Sequence, residues 1–134
     1  MITLNILQFI ENAGLGKIDE SLFWQHLPYD VEGIYIADLG ENTERGSLKS
    51  QNFEIYARYK NNVEGYKKLN DVLKLLDSSF NVCKLPEVKD CKGNTIAPEI
   101  NGVSIMPTSS ITNYGEDDRN RVIYSAQGSI YYQN

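Results

Sequence analysis

The hydrophobic pattern changes its period once between residues 51 and 80, and this change constrains the fold more than any other feature of the chain. Up to residue 60, apolar and polar residues alternate, which is typical of a half-buried β-strand. After residue 61 the apolar residues recur every three or four positions, which indicates one apolar stripe on a helix. A strand that leads into such a helix predicts a two-layer unit of sheet and helix. The alternating residues are Phe53, Ile55, Ala57 and Tyr59 on one face and Glu54, Tyr56, Arg58 and Lys60 on the other, and the stripe consists of Tyr66, Leu69, Leu73, Leu76 and Phe80.

Asn61 and Glu64 mark the predicted start of this helix. An Asn side chain at that position accepts hydrogen bonds from free backbone N–H groups, and a Glu three residues later reaches back to it. Each buried Leu of the stripe contributes about 1.5–3 kcal/mol. We therefore expect Leu73→Asp to unfold the domain, because it places an unpaired charge in the core. A soluble variant with a normal thermal melt would contradict this assignment.

The remaining segments add one helix and several strands, so the sequence predicts an α+β fold: a mostly antiparallel β-sheet covered on one face by two α-helices, in one two-layer domain. Thr3 is expected to cap the first helix, which Gly14 and Gly16 end. The next predicted elements are a short apolar segment over 21–24, a strand over 31–39 that ends at Gly40 and an exposed polar loop over 41–50. After the central unit we expect a short strand over 82–85 and a loop or small exposed hairpin over 87–101. The C-terminal part is predicted to contain a strand over 103–111 interrupted at Pro107 by an edge or bulge, a turn over 113–118 and a last strand over 121–132.

Length and charge limit the functional classes. A chain of 134 residues fits one domain with a substantial core. Its net charge of −5, with no basic block, makes it a poor DNA binder, although it could surround DNA without gripping it. The first residues lack the positive region of a signal peptide, and no apolar run approaches about 20 residues, so we expect synthesis in the cytosol and no membrane span.

Few residues suggest catalysis. His26 lies near Ser21 and Asp30 in sequence, but three polar residues around a turn do not establish a nucleophile, base and acid. An alternative function is a small intracellular ligand-binding or hydrolytic domain that uses His26 and Asp30. Asp38, at a predicted strand end, and the acidic run 116–118 offer carboxylates for a metal or a general acid. An Asp-rich turn is more often simply solvated, because Asp stabilises turns through its own backbone hydrogen bonds.

The two cysteines, Cys83 and Cys91, are eight positions apart and could bridge a hairpin. A cytosolic chain normally keeps such thiols reduced, so two unpaired thiols are favoured. A zinc site needs about four ligands, and His26 is the only histidine. The sequence therefore predicts neither a disulfide nor a metal centre.

Three stretches carry a family resemblance. Residues 12–16 (Asn-Ala-Gly-Leu-Gly), followed by Leu22-Phe23 and Leu27-Pro28, end a first helix before a short apolar strand. Residues 53–60 then lead into a helix rich in Lys and Leu, and residues 115–121 (Gly-Glu-Asp-Asp-Arg-Asn-Arg) lead into a final strand through Tyr132. In this order the chain resembles, over most of its length, the tail-terminator and minor-capsid (head–tail joining) proteins of long-tailed bacteriophages. Residues 86–101 form a longer segment than that family leads us to expect.

The resemblance implies a structural virion protein without catalytic, cofactor-binding or metal-binding residues. Such a protein forms a ring, commonly a hexamer, at the head-proximal end of the tail, where it caps the tail tube and joins it to the neck. Its partners would be copies of itself, the tail tube protein and a neck or head-completion protein. DNA would pass through without specific binding, and no membrane would be involved. The protein would assemble in the host cytoplasm and remain in the virion.

Charge and exposure are compatible with this expectation. Six copies at −5 each would carry roughly −30, and a negative channel wall repels DNA phosphates. An edge strand near Pro107 could pair across subunits. Related roles, namely a head-completion protein, a neck stopper or a tail-tube subunit, stay open. The residues expected to form the protein interface are Glu44, Arg45, Lys49, Glu116, Asp117, Asp118 and Arg119.

Overall fold

A computed structural model describes residues 2–43, 48–78 and 83–133 of the chain. They adopt the predicted α+β fold, in which two helices cover one face of a curled, mainly antiparallel sheet. None of the described helices is both long and apolar enough to cross a membrane. The elements are α1 (Ile2–Asn12), β1 (Leu22–Trp24), β2 (Gly33–Thr43), β3 (Leu48–Tyr59), α2 (Asn62–Ser78), β4 (Cys83–Leu85), β5 (Val88–Lys89), β6 (Thr95–Ala97), β7 (Ile100–Pro107), β8 (Thr112–Glu116) and β9 (Val122–Gln133).

Strands β3 and β9 form the centre of the seven-stranded sheet. They pair antiparallel along their whole length, from Leu48 opposite Gln133 to Tyr59 opposite Val122. On the outer side of β3 lies β2, followed by β1, which is parallel to β2. On the outer side of β9, β8 and β7 pair with successive parts of the strand, and β4 pairs with β7. Strands β5 and β6 form a separate hairpin.

The apolar face of β3 and the cap of α2 agree with the sequence prediction. Phe53, Ile55, Ala57 and Tyr59 are all buried, as the alternation predicts. The Glu64 backbone N–H donates to Asn61 Oδ1 at 3.1 Å, which confirms the capping role of Asn61. The face of the helix that packs on the sheet is slightly rotated from the predicted stripe. Its fully buried residues are Leu69, Val72 and Leu76, whereas Leu73 is partly buried, Tyr66 is exposed and the side chain of Phe80 lies outside the described residues.

The end of α1 confirms the predicted glycine stop. Gly14 adopts a positive φ of 82°, and the N–H groups of Gly14 and Leu15 donate to the Glu11 and Ile10 carbonyls. This arrangement satisfies carbonyls that a helix end otherwise leaves unpaired. The prediction that Thr3 caps the helix is wrong, because Thr3 lies within α1 and is buried. Its hydroxyl donates to Asp38 Oδ1 at 2.6 Å and so ties the helix to β2.

The prediction of a loop over 41–50 is also wrong at both ends of that range. Strand β2 continues past Gly40 to Thr43, which pairs with Lys49 on β3. The register shifts between Asp38 and Gly40, where Gly40 has a φ of 154°. Such a bulge suits glycine because it needs a backbone conformation that other residues rarely adopt. Only residues 44–47 of the predicted loop lie outside the described residues.

Two predicted features of the C-terminal third need correction. The predicted turn over 113–118 is largely strand β8, and the chain turns after it, where the Asn120 N–H donates to the Asp117 carbonyl. Pro107 does not interrupt a longer strand but ends β7, opposite Gly128 of β9. Ile111 therefore lies outside the strands and packs partly buried against the core.

The segment over 87–101, whose role the sequence leaves open, forms the β5–β6 hairpin and packs on α1. The Asn5 side-chain amide donates to the carbonyls of Pro86 and Pro98, each at 2.9 Å. Val88 and Ala97 are buried, so the hairpin is not simply exposed. Because the hairpin and the sheet both contact α1, seven of the eleven residues of this helix are buried.

Candidate interaction surface

The face of the sheet opposite the helices carries a group of tyrosines around one carboxylate. The rings of Tyr35 and Tyr56 are stacked, with centroids 4.7 Å apart and an interplanar angle of 13°. Tyr114, on β8, lies 6.2 Å from Tyr56 between ring centroids. Glu54 Oε1 accepts hydrogen bonds from Ser125 Oγ at 3.1 Å and from the Tyr114 hydroxyl at 3.3 Å. We call these five residues the tyrosine–glutamate cluster.

Two phenol groups of this cluster, Tyr35 and Tyr56, have raised pKa values and therefore stay protonated at physiological pH. Burial raises the pKa of Tyr56 well above its ordinary value, and the hydrogen bonding and negative charge of Glu54 raise it further. Burial also raises the pKa of Tyr35, with a further contribution from the charge of Glu54. Neutral phenols can donate hydrogen bonds and present electron-rich ring faces.

A second feature, the arginine clamp, consists of Arg58, Asp117 and Arg121. Arg121 is 5% exposed, and both its Nε and its Nη2 lie 2.8 Å from Asp117 Oδ2. Its Nη1 donates to the carbonyl of Tyr29 at 2.7 Å. The clamp therefore holds the turn that contains Tyr29 against the chain that enters β9.

Arg58 completes the clamp from β3. Its Nη2 donates to the carbonyls of Pro28 and Val31, the latter at 2.8 Å, and its Nε lies 3.9 Å from Asp117 Oδ2. Burial lowers the pKa of Arg58, and the positive charge of Arg121 lowers it further. Two guanidinium groups thus share one carboxylate, and the carbonyls of the turn that contains Tyr29 accept further hydrogen bonds from them. Arg58 Nε and Arg121 Nη2 are buried near Asp117 without a hydrogen-bond partner among the described residues.

The exposed rim of the clamp carries two of the predicted interface residues, Asp118 and Arg119. The Arg119 guanidinium carbon lies 4.2 Å from the centroid of the Tyr29 ring, and Nη1 lies 3.3 Å from Asp30 Oδ1. The Tyr29 hydroxyl donates to Asp118 Oδ2 at 2.6 Å. These exposed contacts are worth little individually, so a partner can replace them at small cost.

The other predicted interface residues fall into three groups. Glu116 is exposed at the end of β8, while Asp117 is mostly enclosed by the clamp. Lys49 lies on β3 opposite Thr43 and Tyr132. Glu44 and Arg45 lie outside the described residues. The structure therefore brings Asp117, Asp118 and Arg119 together and places Lys49 in a different part of the sheet.

The alternative pair, His26 and Asp30, is not brought into one catalytic arrangement. His26 lines an open cleft of about 860 Å³ between α1, β1 and the β5–β6 hairpin, together with Glu11, Trp24 and Cys91. Asp30 instead pairs with Arg119. Over residues 2–43, 48–78 and 83–133, no hydrogen bond or ion pair joins His26 to Asp30.

The residues that the sequence analysis considered for metal binding, acid catalysis or a disulfide lie in several parts of the chain. No three of the described His, Cys, Asp and Glu residues form a group that could hold a metal ion. Asp38, considered as a general acid from the sequence, accepts hydrogen bonds from Thr3 and Gln25. Cys91 is a free, exposed thiol, while the side chain of Cys83 lies outside the described part.

Sequence reasoning placed Glu54, Tyr56 and Arg58 on the polar face of β3 but did not identify them as a site. The alternation that predicts the strand assigns such residues to solvent. The available signal was the content of that face, where Glu54 and Arg58 lie two positions on either side of Tyr56. The fold and these two clusters define an α+β protein with a polar, tyrosine-lined sheet face. No protein-family model matches the chain, and no curated protein sequence matches it.

The arginine clamp predicts a specific loss of stability in acid. Burial acts to raise the pKa of Asp117, but hydrogen bonds from the backbone N–H groups of Arg121 and Arg119 and from the Arg121 side chain outweigh it and lower that pKa. A carboxyl with a lowered folded-state pKa stabilises the fold above its unfolded pKa, near pH 4, and this contribution is lost as the pH falls through the folded value. We therefore expect the free energy of unfolding to decrease below about pH 4.

Urea denaturation at several pH values checks this prediction. The Asp117→Asn variant should be less stable than the wild type at pH 7, because it lacks the ion pair, and should lose less stability on acidification. Parallel stability curves for the two proteins between neutral and acid pH would contradict the assignment.

Proposed function

We propose that this chain is a structural virion protein of the tail-terminator type, which forms a ring at the head-proximal end of a phage tail, caps the tail tube and joins it to the neck. The observation that carries the proposal is the order of elements. A helix with a glycine stop, a long strand pair, a second helix and a C-terminal β region follow one another as in the resemblance described above. The two helices pack on one sheet face and leave a polar, tyrosine-rich face for neighbours.

The composition of that face supports contact with other proteins. Tyrosine is enriched at protein interfaces because one end of its side chain is apolar and the other can form hydrogen bonds. Tyr29, Tyr114 and Tyr131 are exposed by 50%, 57% and 36%. A ring needs two different complementary surfaces on each subunit, since each copy contacts a neighbour on either side.

The charge supports a role beside DNA without binding it. Each copy carries −5, and a ring of such subunits repels phosphates electrostatically. The proposed partners are further copies of the chain, most simply a hexamer, the tail tube protein and a neck or head-completion protein. The proposed location is the virion, after assembly in the host cytoplasm, with no catalytic step and no cofactor.

Light scattering and negative-stain imaging of the purified protein, alone and mixed with tail tubes, test the proposal. We expect a closed ring in solution, or a monomer that forms one ring at the end of each tube. A terminator stops at one ring, whereas a tail-tube subunit polymerises without limit, so open-ended tubes would contradict the terminator role. A protein that stays monomeric and binds no tube would overturn the proposal altogether.

A charge reversal at the predicted interface tests whether that surface takes part in assembly. Glu116→Arg, at the exposed end of β8, should weaken ring formation or tube capping by about tenfold, because it reverses a charge at the contact. Glu20→Arg makes the same change at an exposed site near β1 and serves as the matched control. Equal assembly of both variants and the wild type would remove Glu116 from the interface.

A further inference from the structure

Glu54 is a buried carboxylate without a charged partner. It is 5% exposed, and the side chains that form hydrogen bonds with it, Ser125, Tyr114 and Tyr56, are hydroxyl groups that carry no positive charge. Across the described ranges, no Lys, Arg or His nitrogen lies within 4.0 Å of this carboxylate. Burying a charge is costly unless an opposite charge accompanies it. The carboxylate therefore has the chemistry to accept a cation from outside the chain.

The nearest cation on the same strand face is already engaged. Arg58 follows Glu54 by four positions on β3, an even number, so its side chain leaves the same face of the sheet. Its guanidinium is held by the carbonyls of Pro28 and Val31 and by the charge of Asp117. Moving it to Glu54 would break the arginine clamp and leave these acceptors without their donor.

The surroundings of Glu54 suit an organic cation. The stacked rings of Tyr35 and Tyr56 and the tilted ring of Tyr114 provide electron-rich surfaces, which attract guanidinium groups. Tyr114 forms the outer wall: it is 57% exposed, and its hydrogen bond to Glu54 is long at 3.3 Å. An incoming donor can therefore replace the Tyr114 hydroxyl at Oε1 at little cost.

We propose that the tyrosine–glutamate cluster is a binding site for a guanidinium group, namely an arginine side chain presented by a partner protein. Glu54 supplies the counter-ion, and the rings of Tyr56 and Tyr114 contact the flat faces of the guanidinium. The partner is a protein with an exposed arginine, which fits the net negative charge of this chain. This site does not depend on the proposed ring, and isolated protein is sufficient to test it.

The experiment is a titration followed by NMR on protein with ¹³C-labelled tyrosines. The probe is N-acetyl-arginine amide, and the control ligand is N-acetyl-citrulline amide, which has a similar shape but no charge. At constant ionic strength we expect saturable shifts of the Tyr35, Tyr56 and Tyr114 ring signals with the arginine probe and none with the citrulline compound. In Glu54→Gln the dissociation constant should rise by about tenfold or more, as expected for loss of a charge-assisted contact.

Two further variants separate binding from folding. Glu20→Gln removes the same charge from an exposed site before β1, outside the cluster, and should bind the probe like the wild type. Tyr114→Leu replaces an exposed ring and should weaken binding by about threefold to tenfold, as expected for a lost cation–π contact. Equal shifts with both ligands, an unchanged affinity in Glu54→Gln or Tyr114→Leu, or no saturable shift in the wild type would overturn the proposal.

Discussion

Leu69→Asp is expected to leave the chain unfolded at 25 °C and neutral pH. Leu69 is fully buried on the side of α2 that packs on the sheet. The substitution removes about 1.5–3 kcal/mol of hydrophobic burial and places an unpaired carboxylate among apolar side chains, which costs more. Natural domains are stable by only about 5–15 kcal/mol, so one such change is sufficient. Far-UV circular dichroism and a thermal melt measure the outcome.

Leu73→Asp, on the same helix, is the matched comparison. Leu73 is partly buried, so an Asp at this position keeps contact with water and should lower the melting temperature less than Leu69→Asp does. The expectation from the sequence alone, that Leu73→Asp unfolds the domain, stays a prediction, but Leu69 is the more sensitive site. A normally melting Leu69→Asp protein, or one more stable than Leu73→Asp, would contradict the observed packing of α2.

The sequence predicts the fold best where apolar and polar residues lie on opposite faces of one element. Phe53, Ile55 and Ala57 alternate with polar residues because one face of β3 meets α2, and Asn61 caps that helix by a purely local contact. In a helix that is buried from two sides, the buried residues no longer follow a single apolar stripe. Helix α1 packs against both the sheet and the β5–β6 hairpin, so buried polar residues such as Thr3 appear in it and suggest a cap at the wrong place.

A segment of glycine and polar residues can continue a strand, although its composition predicts a loop. Gly40 and the residues after it have the composition of a loop, yet a bulge allows β2 to continue because β3 supplies the pairing. Residues 113–116 likewise have the composition of a turn, but β9 pairs with them as β8. Composition reports local preference, whereas pairing with a distant strand decides the structure.

The candidate site was predictable only in part. The acidic run 116–118 was identified from the sequence, but its neighbours Arg58 and Tyr29 were not. The contact between Arg121 and the Tyr29 carbonyl joins residues 92 positions apart, which no local pattern can reveal. Glu54 was assigned to the polar face, but it is buried, and one of its contacts is Tyr114, on a strand that the sequence did not predict.

Asn5→Asp is expected to destabilise the protein by about 3–5 kcal/mol at pH 7, the range measured when one partner of a buried ion pair is removed and the other charge is left uncompensated. Asn5 is 1% exposed, and its amide is the donor to both the Pro86 and the Pro98 carbonyl. The substitution removes this donor and places a carboxylate against two carbonyl oxygens. The hairpin that Asn5 holds on α1 should then separate first, because the Asn5 amide supplies both side-chain hydrogen bonds to the residues that flank the hairpin.

Urea denaturation and hydrogen exchange of residues 86–98 measure this effect. Asn12→Asp is the matched control, because Asn12 is exposed at the end of α1 and its Oδ1 only accepts a hydrogen bond from Gln8, which an Asp still accepts. That variant should lie within about 0.5 kcal/mol of the wild type.

Acidification adds a second readout. Burial against two carbonyls favours the neutral form of an Asp at position 5, and a protonated carboxyl regains one donor. The difference in stability between Asn5→Asp and the wild type should therefore be smaller at pH 4.5 than at pH 7. An Asn5→Asp protein as stable as Asn12→Asp at both pH values, with unchanged exchange in the hairpin, would show that Asn5 does not hold the hairpin on the helix.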